Sequence, residues 1–293
     1  MKNLSLRTDM LIKRSIKEII NKTRDISLVH VVSFPKSGRT WLRLMLAKIY
    51  SEITGFGLQD ILNSEKKSCL FSEFRGFLRK NQIPYLVFEH GFQVGEIVKG
   101  DYFPKQYYKN KKVLFLVRDP RDTLISYYYH EKYHFNSFNG SLHEFVHFPF
   151  EKFSFRSRPA LFGIKPIINY MNTWVQNISL FGNFYAIYYE DFQKNTLEQL
   201  NLASDYIGLK TNQTDISKAV AFGNFKNMRR MEKENTLKWY PLSGTKNEKG
   251  LKVRQGTVGG YKTELRKDDL EFINQEISKC LNPYFKRYIN TGL

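Results

Sequence analysis

Residues 30–50 read HVVSFPKSGRTWLRLMLAKIY, and this stretch decides the fold. An apolar run stops at PKSGRT, and beyond it apolar residues return at helical spacing. The pattern is strand, tight loop, helix. Lys36, Ser37, Gly38 and Thr40 stand together in the loop. A loop of this kind presents backbone N–H groups at the positive end of a helix dipole, and such groups bind anions. Gly38 permits a close turn, Lys36 adds charge, and the hydroxyls of Ser37 and Thr40 add donors. A plain turn with a surface lysine does not explain so many of these groups in one loop.

Outward from this loop, further apolar runs occupy residues 85–90 (YLVFEH), 112–118 (KVLFLVR) and 184–190 (FYAIYYE), with 28–34 (LVHVVSF) as the first strand. They are rich in β-branched and aromatic residues and lack clean alternation, which suits parallel strands covered on both faces. Helical spacing fills 40–51, 121–134 with Pro120 at its start, 165–181, 196–209 and 214–223. Strands alternating with helices predict an α/β fold: three α/β/α layers, a central parallel sheet and a P-loop-like strand–loop–helix. Ligands in such folds sit beyond the carboxyl ends of the strands. All four strands end there in polar groups: PKSGRT, EHG, RDPRD and YED.

No repeat or long linker divides the 293 residues, so one domain is expected across 1–293. Residues 1–27 read as a basic helical extension, which could pack on the domain or touch a membrane surface. Residues from about 136 to 165 are irregular and aromatic and read as a lid-like insertion. Residues 240–262 read as a long loop. No stretch approaches the ~18 apolar residues of a membrane span, and two distant cysteines, Cys69 and Cys280, define neither a disulfide framework nor a metal site. A cytoplasmic location is the expectation. The 46 Lys+Arg against 28 Asp+Glu give a net charge of +18, which favours anionic partners without choosing among them.

A nucleoside-triphosphatase loop places its lysine after the last glycine, G-x-x-x-x-G-K-[ST]. Here Lys36 precedes Gly38, and no earlier glycine has the required spacing. Such an enzyme also wants a magnesium-holding aspartate at a strand end, whereas VLFLVRDP puts Arg118 there first. Arginine binds phosphate and repels metal ions. In RDPRDTLISYYYH, Arg118 and Ser126 could reach one phosphate together. Arg118 could equally pair with Asp119 or Asp122.

These residues carry a family resemblance. SFPKSGRTW resembles the 5′-phosphosulfate loop of sulfotransferases that use 3′-phosphoadenosine-5′-phosphosulfate (PAPS). RDPRDTLIS resembles their 3′-phosphate motif, and RQGTVGGYK their late R-K-G-x-x-G motif. The three occur in family order between Val29 and Lys262. The resemblance implies that Lys36 contacts the 5′-phosphate and bridging oxygens, with Ser37, Gly38, Arg39 and Thr40 completing the cradle. It implies that Trp41 stacks on adenine beside Tyr189 of YYEDF and Phe225 of GNFKNM. Arg118, Ser126, Arg254, Gln255 and Gly256 would hold the 3′-phosphate. The sequence departs from the family in three places. Arg39 replaces a threonine, Gln255 replaces a lysine, and TELRKDDLE lacks the family's dimer signature, leaving the oligomeric state open.

Sulfuryl transfer to a hydroxyl or amine needs a base for the acceptor proton and a cation for the leaving phosphate. Lys36 suits the second role. A histidine is the natural base; His90 ends the second strand, where the family carries its catalytic histidine. Glu89, His130 and His134 are the alternatives. HEKYH (130–134) and HEFVH (143–147) both match the H-E-x-x-H zinc-protease pattern, but neither supplies a third ligand in sequence. The expectation is therefore a PAPS-dependent sulfotransferase with no metal and no nucleic-acid partner. Its acceptor would be a hydroxylated small molecule, glycan or lipid. A nucleotide kinase with a degenerate P-loop is the main alternative; a zinc hydrolase and a nucleic-acid binder are the others.

Overall fold

Four apolar runs form the sheet of the protein, described here from a computed structural model. The structure describes residues 27–63, 68–90, 103, 105–150, 161–237 and 247–289. The strands are β1 (Leu28–Val32), β2 (Tyr85–Glu89), β3 (Lys112–Val117) and β4 (Asn183–Tyr188). All neighbours are parallel, in the order β2-β1-β3-β4. The helices of ten residues or more are α1 (Arg39–Thr54), α2 (Ser68–Lys80), α3 (Pro120–Tyr133), α4 (Ile164–Gln176), α5 (Thr196–Ile207), α6 (Gln213–Phe222), α7 (Phe225–Glu234) and α8 (Lys267–Cys280).

Strand β3 shows why the runs lack alternation. Its side chains point to opposite faces in turn, and both faces are buried. Val113, Phe115 and Val117 pack with Leu124 and Tyr127 of α3, Ile167 and Trp174 of α4, and Ile273 and Ile277 of α8. Leu114 and Leu116 pack with Leu42, Met45 and Ile49 of α1, Leu200 of α5 and Ile216 of α6. These are the three layers expected from the sequence. Apolar contact on two faces rather than one makes every position of the strand hydrophobic.

Element ends differ from the sequence expectation where polar chemistry takes over. Strand β1 stops at Val32, and β2 and β3 release His90 and Arg118 just past their ends. Strand β4 stops at Tyr188; Tyr189 opens a short helix, Tyr189–Lys194. Glu190 and Asp191 in its first turn suit a helix N-terminus. The helix expected at 165–181 ends at Gln176, and a 3-10 turn follows at Ile178–Leu180.

Several residues in the described flanks of the expected lid belong to the core. Phe145, Val146, Leu161 and Phe162 are buried in the aromatic layer beside α3 and α4. The middle of that segment, 151–160, lies outside the described residues, as do the basic extension up to residue 26 and residues 238–246 of the long loop. Among the described residues, no helix is long and apolar enough to cross a membrane.

Candidate active site

The chain passes from β1 outward to β2 and then crosses back to β3 on the other side of β1. The loops that follow β1 and β3 therefore diverge at a topological switch point, the usual crevice for ligands in such sheets. A cavity of about 410 Å³ opens there. The first loop contributes Lys36, Gly38, Arg39, Thr40 and Trp41 to its wall. His90 lines it from beyond β2, Arg118 from beyond β3, Ser126 from α3 and Tyr189 from beyond β4. Phe225, at the start of α7, and Arg254, Gln255 and Gly256 of the late loop complete the set. Ser37 is the exception: it is buried and does not line the cavity.

The first loop is wound tightly. Lys36 has φ 73° and Gly38 φ 97°, both left-handed. A Cβ on Gly38 would stand 2.6 Å from the Tyr189 ring, so glycine is required twice over. Gly38 is the N-cap of α1 and makes no side-chain capping bond. The helix thus starts at the cavity wall with no side-chain capping bond from its N-cap residue. By contrast, α3 is capped by Asp119, which accepts from Arg121 N–H, with Pro120 in the first turn.

Arg118 is committed to the cavity rather than to an acid. It donates to the Lys36 carbonyl at 3.1 Å and the Thr257 carbonyl at 3.4 Å, and its guanidinium lies 4.4 Å from the Tyr189 ring centre. Its Nε–H is buried with no hydrogen-bond partner. The neighbouring acids have other work. Asp119 pairs with Arg121 at 3.0 Å. Asp122 accepts from Gly259 N–H at 2.7 Å and Tyr261 N–H at 3.1 Å, which ties the late loop to α3.

That loop is held from several sides. Gln193 donates to the Gly256 carbonyl. Gly256 has φ 64°, and a Cβ there would stand 2.5 Å from Phe225. Arg254 bonds Glu264 at 2.8 Å and sits 3.9 Å over the Tyr129 ring. Trp41 is fixed by an Nε1–H bond to the Gly223 carbonyl at 2.7 Å and by edge contacts with Tyr189 and Phe192.

Two groups escape the sequence reading. Lys252 lines the cavity, and Glu232 of α7 lies fully buried behind it. Glu232 accepts from the Lys252 and Val253 N–H groups at 2.8 and 2.9 Å. Burial lowers Lys36 to about 7, with Lys252 next and Arg118 and Arg254 adding repulsion against the opposing pull of Glu232. Lys252 is lowered to about 8, again by burial. Lys252 sits two residues before Arg254, within reach of the motif; nothing local in the sequence marks Glu232.

His90 is held by both ring nitrogens. Nδ1 lies 2.8 Å from the Ser33 carbonyl, and Nε2 lies 2.6 Å from an Arg39 guanidinium nitrogen. A carbonyl requires a donor and a guanidinium supplies one, so Nδ1 carries the proton and Nε2 a lone pair. Burial, then Arg39, push His90 well below the ordinary histidine range. The ring is a neutral base. Glu89, one of the alternative bases, is instead bound to buried His30 at 2.7 Å. His130 lines the cavity with its ring stacked on His134.

These residues fit a ligand with more than one phosphate. Lys36, Arg39, Arg118, Lys252 and Arg254 converge on one cavity, and the buried Nε–H of Arg118 wants an acceptor. The family model described as sulfotransferase domain matches residues 27–283. The chain belongs to the sulfotransferase family.

Among its relatives, this sulfotransferase is 26% identical over 258 residues to sulfotransferase 2A1 of Rattus norvegicus, covering 85% of this chain and 83% of that one. It is 23% identical to the luciferin sulfotransferase of Photinus pyralis, covering 92% and 77%. Among solved structures it resembles mouse sulfotransferase SULT7A1 complexed with PAP, with a TM-score of 0.56, 16% identity, and coverage of 90% and 89%. Retinol dehydratase with androsterone and inactive cofactor PAP gives 0.52 at 15% identity, covering 90% and 81%. At these identities the structural likeness speaks for the fold, and it agrees with the parallel sheet of the sulfotransferase described above.

Proposed function

We propose that this sulfotransferase moves the sulfuryl group of PAPS to a hydroxyl of a small-molecule acceptor, with His90 as base and Lys36 as the cation at the leaving phosphate. One observation carries this: Lys36, Arg118 and an unprotonated His90 Nε2 meet in a single cavity at the switch point of the sheet. PAPS supplies the activated sulfuryl group and leaves as adenosine 3′,5′-bisphosphate. Relatives named for hydroxylated substrates, including the 3-alpha-hydroxysteroid sulfotransferase of Cavia porcellus, support the acceptor class. The PAP named in the SULT7A1 complex supports the cofactor.

Each group of the chain has a defined task. Trp41, Tyr189 and Phe225 hold the adenine. Arg118, Ser126 and the Arg254–Gly256 loop hold the 3′-phosphate. Lys36, with the first turn of α1, holds the 5′-phosphate and stabilises the charge that grows on it. His90 takes the acceptor's proton at Nε2, and its Nδ1–H bond to Ser33 fixes the ring. Arg39 covers Nε2 in the free protein. Loading an anionic donor gives that guanidinium a better partner and uncovers the base.

The direct test is transfer of radiolabelled sulfate from PAPS to a panel of phenols, hydroxysteroids, glycans and lipid headgroups. Label on a phenol or steroid hydroxyl supports the proposal. Label confined to glycans or lipids keeps the reaction and overturns the acceptor class. No transfer to any of them, with PAPS intact, overturns the reaction.

A further inference from the structure

The H-E-x-x-H match at 143–147 has a structural counterpart outside the cavity. His143 Nδ1 lies 2.6 Å from Asp269 Oδ1, and His147 Nε2 lies 3.0 Å from the same oxygen. One ligand atom from each of the three side chains falls within 4.8 Å of the other two. Asp269 belongs to the first turn of α8, more than a hundred residues away in sequence, and its side chain is 2% exposed. The histidines reach it from the short helix Leu142–Val146 and its C-cap, and their side chains are 40% and 34% exposed. None of the three lines the cavity. This is the one such cluster among the described residues.

We propose that His143, His147 and Asp269 bind a zinc-class divalent cation that pins the 141–147 segment to α8. The donor set, two imidazoles and one carboxylate, matches a first-row ion of borderline softness rather than magnesium or calcium. A tetrahedral zinc with bonds of about 2.0–2.1 Å sets its ligand atoms roughly 3.3 Å apart. Asp269 Oδ1 lies 2.6 and 3.0 Å from the two imidazole nitrogens, closer than that spacing, and the two part-exposed histidines can turn to open it. Those exposed edges leave a fourth position to water. Asp269 supplies the third ligand that the sequence pattern lacks.

The site is not a hydrolase. The pattern's glutamate would have to activate the metal's water. Glu144 Oε2 instead takes the Ser141 N–H at 2.6 Å and the Ser141 hydroxyl at 2.8 Å, closing a capping box at the N-terminus of its own helix. A glutamate locked there leaves a binding site, not a catalytic one. The ion would join a segment of the aromatic core to α8, and its effect belongs to stability.

The test uses the full chain, stripped with chelator and titrated with zinc chloride and separately with cobalt chloride. The expected result is one site of micromolar or tighter affinity, visible d–d absorption with cobalt, and a melting temperature raised by zinc. His147→Gln and Asp269→Asn should each weaken zinc binding at least tenfold. Because Asp269 is buried, His147→Gln is the decisive variant; its metal-free circular dichroism and melting should match the metal-free parent. Zinc binding that is absent, or equally tight in His147→Gln, would overturn the proposal.

Discussion

At the scale of the residue, the proposed reaction rests on His90 and Lys36, and both owe their state to burial. His90 is neutral because the site strips its water and Arg39 stands against Nε2. In the free protein its ring should show the neutral Nδ1–H form at pH 6.5 by nitrogen-15 NMR. Arg39→Ala should raise its midpoint toward the ordinary range; a midpoint at or above 6.5 in the parent would contradict this. His90→Asn should lower turnover by roughly 10²–10⁴-fold with little change in PAPS affinity, measured by steady-state kinetics on the true acceptor. Near-normal turnover would move the base elsewhere, to His130 or His134. Lys36 makes a second prediction. Its pKa of about 7 lies below the 10.5 of the free side chain, so the unfolded chain holds this proton between those values when the folded one does not. Its contribution to the free protein's stability therefore rises with pH across that window. A bound phosphate reverses the preference and draws the proton back. Calorimetry at pH 8 in buffers of different ionisation enthalpy should show proton uptake on binding adenosine 3′,5′-bisphosphate, with much less at pH 6. Affinity should fall as pH rises above 7. Binding heats independent of buffer would contradict it.

At the scale of the element, the site is built on loops that turn through left-handed glycines, Gly38 and Gly256. Gly256→Ala forces a side chain into left-handed backbone, at about 1–2 kcal/mol, and drives a Cβ into Phe225. The expected outcome is a melting temperature lower by roughly 2–8 °C and weaker bisphosphate binding, read by thermal shift and calorimetry. An unchanged melting point and affinity would show that the loop accommodates the substitution. Much of this layout was legible in the sequence. The strand–loop–helix at 30–50, the strands of the sheet and the arginine at the end of β3 all carry local signals: apolar runs, glycine, a proline at a helix start. The partners of those groups were not legible. Asp122 could have neutralised Arg118, and only the fold shows it bonded to Gly259 and Tyr261 instead. Glu232 looks like any helical surface acid until α7 packs it behind Lys252. Phenylalanines in an irregular stretch such as 136–165 look the same in sequence whether they cover a site or fill a core; of the described ones, Phe145 and Phe162 fill the core.

At the scale of the whole molecule, the strand order β2-β1-β3-β4 explains how motifs far apart in the chain become one site. Three stretches that carry basic residues, at 36–41, 118–126 and 252–256, converge where the order reverses. Five of the cations behind the net charge of +18 line one cavity there. The proposed division of labour assigns the 3′-phosphate to Arg118 and the late loop. A charge-assisted hydrogen bond contributes about 1.5–3 kcal/mol, so this phosphate should matter by tenfold or more. The decisive measurement is calorimetric titration of the full chain, in EDTA, with adenosine 3′,5′-bisphosphate, adenosine 5′-monophosphate and ATP, repeated on Arg118→Ala. The expected result is metal-independent 1:1 binding of the bisphosphate, at least tenfold tighter than the monophosphate, with that advantage largely lost in Arg118→Ala. Equal affinity for bisphosphate and monophosphate, or tight binding of ATP that requires magnesium, would contradict a PAPS site.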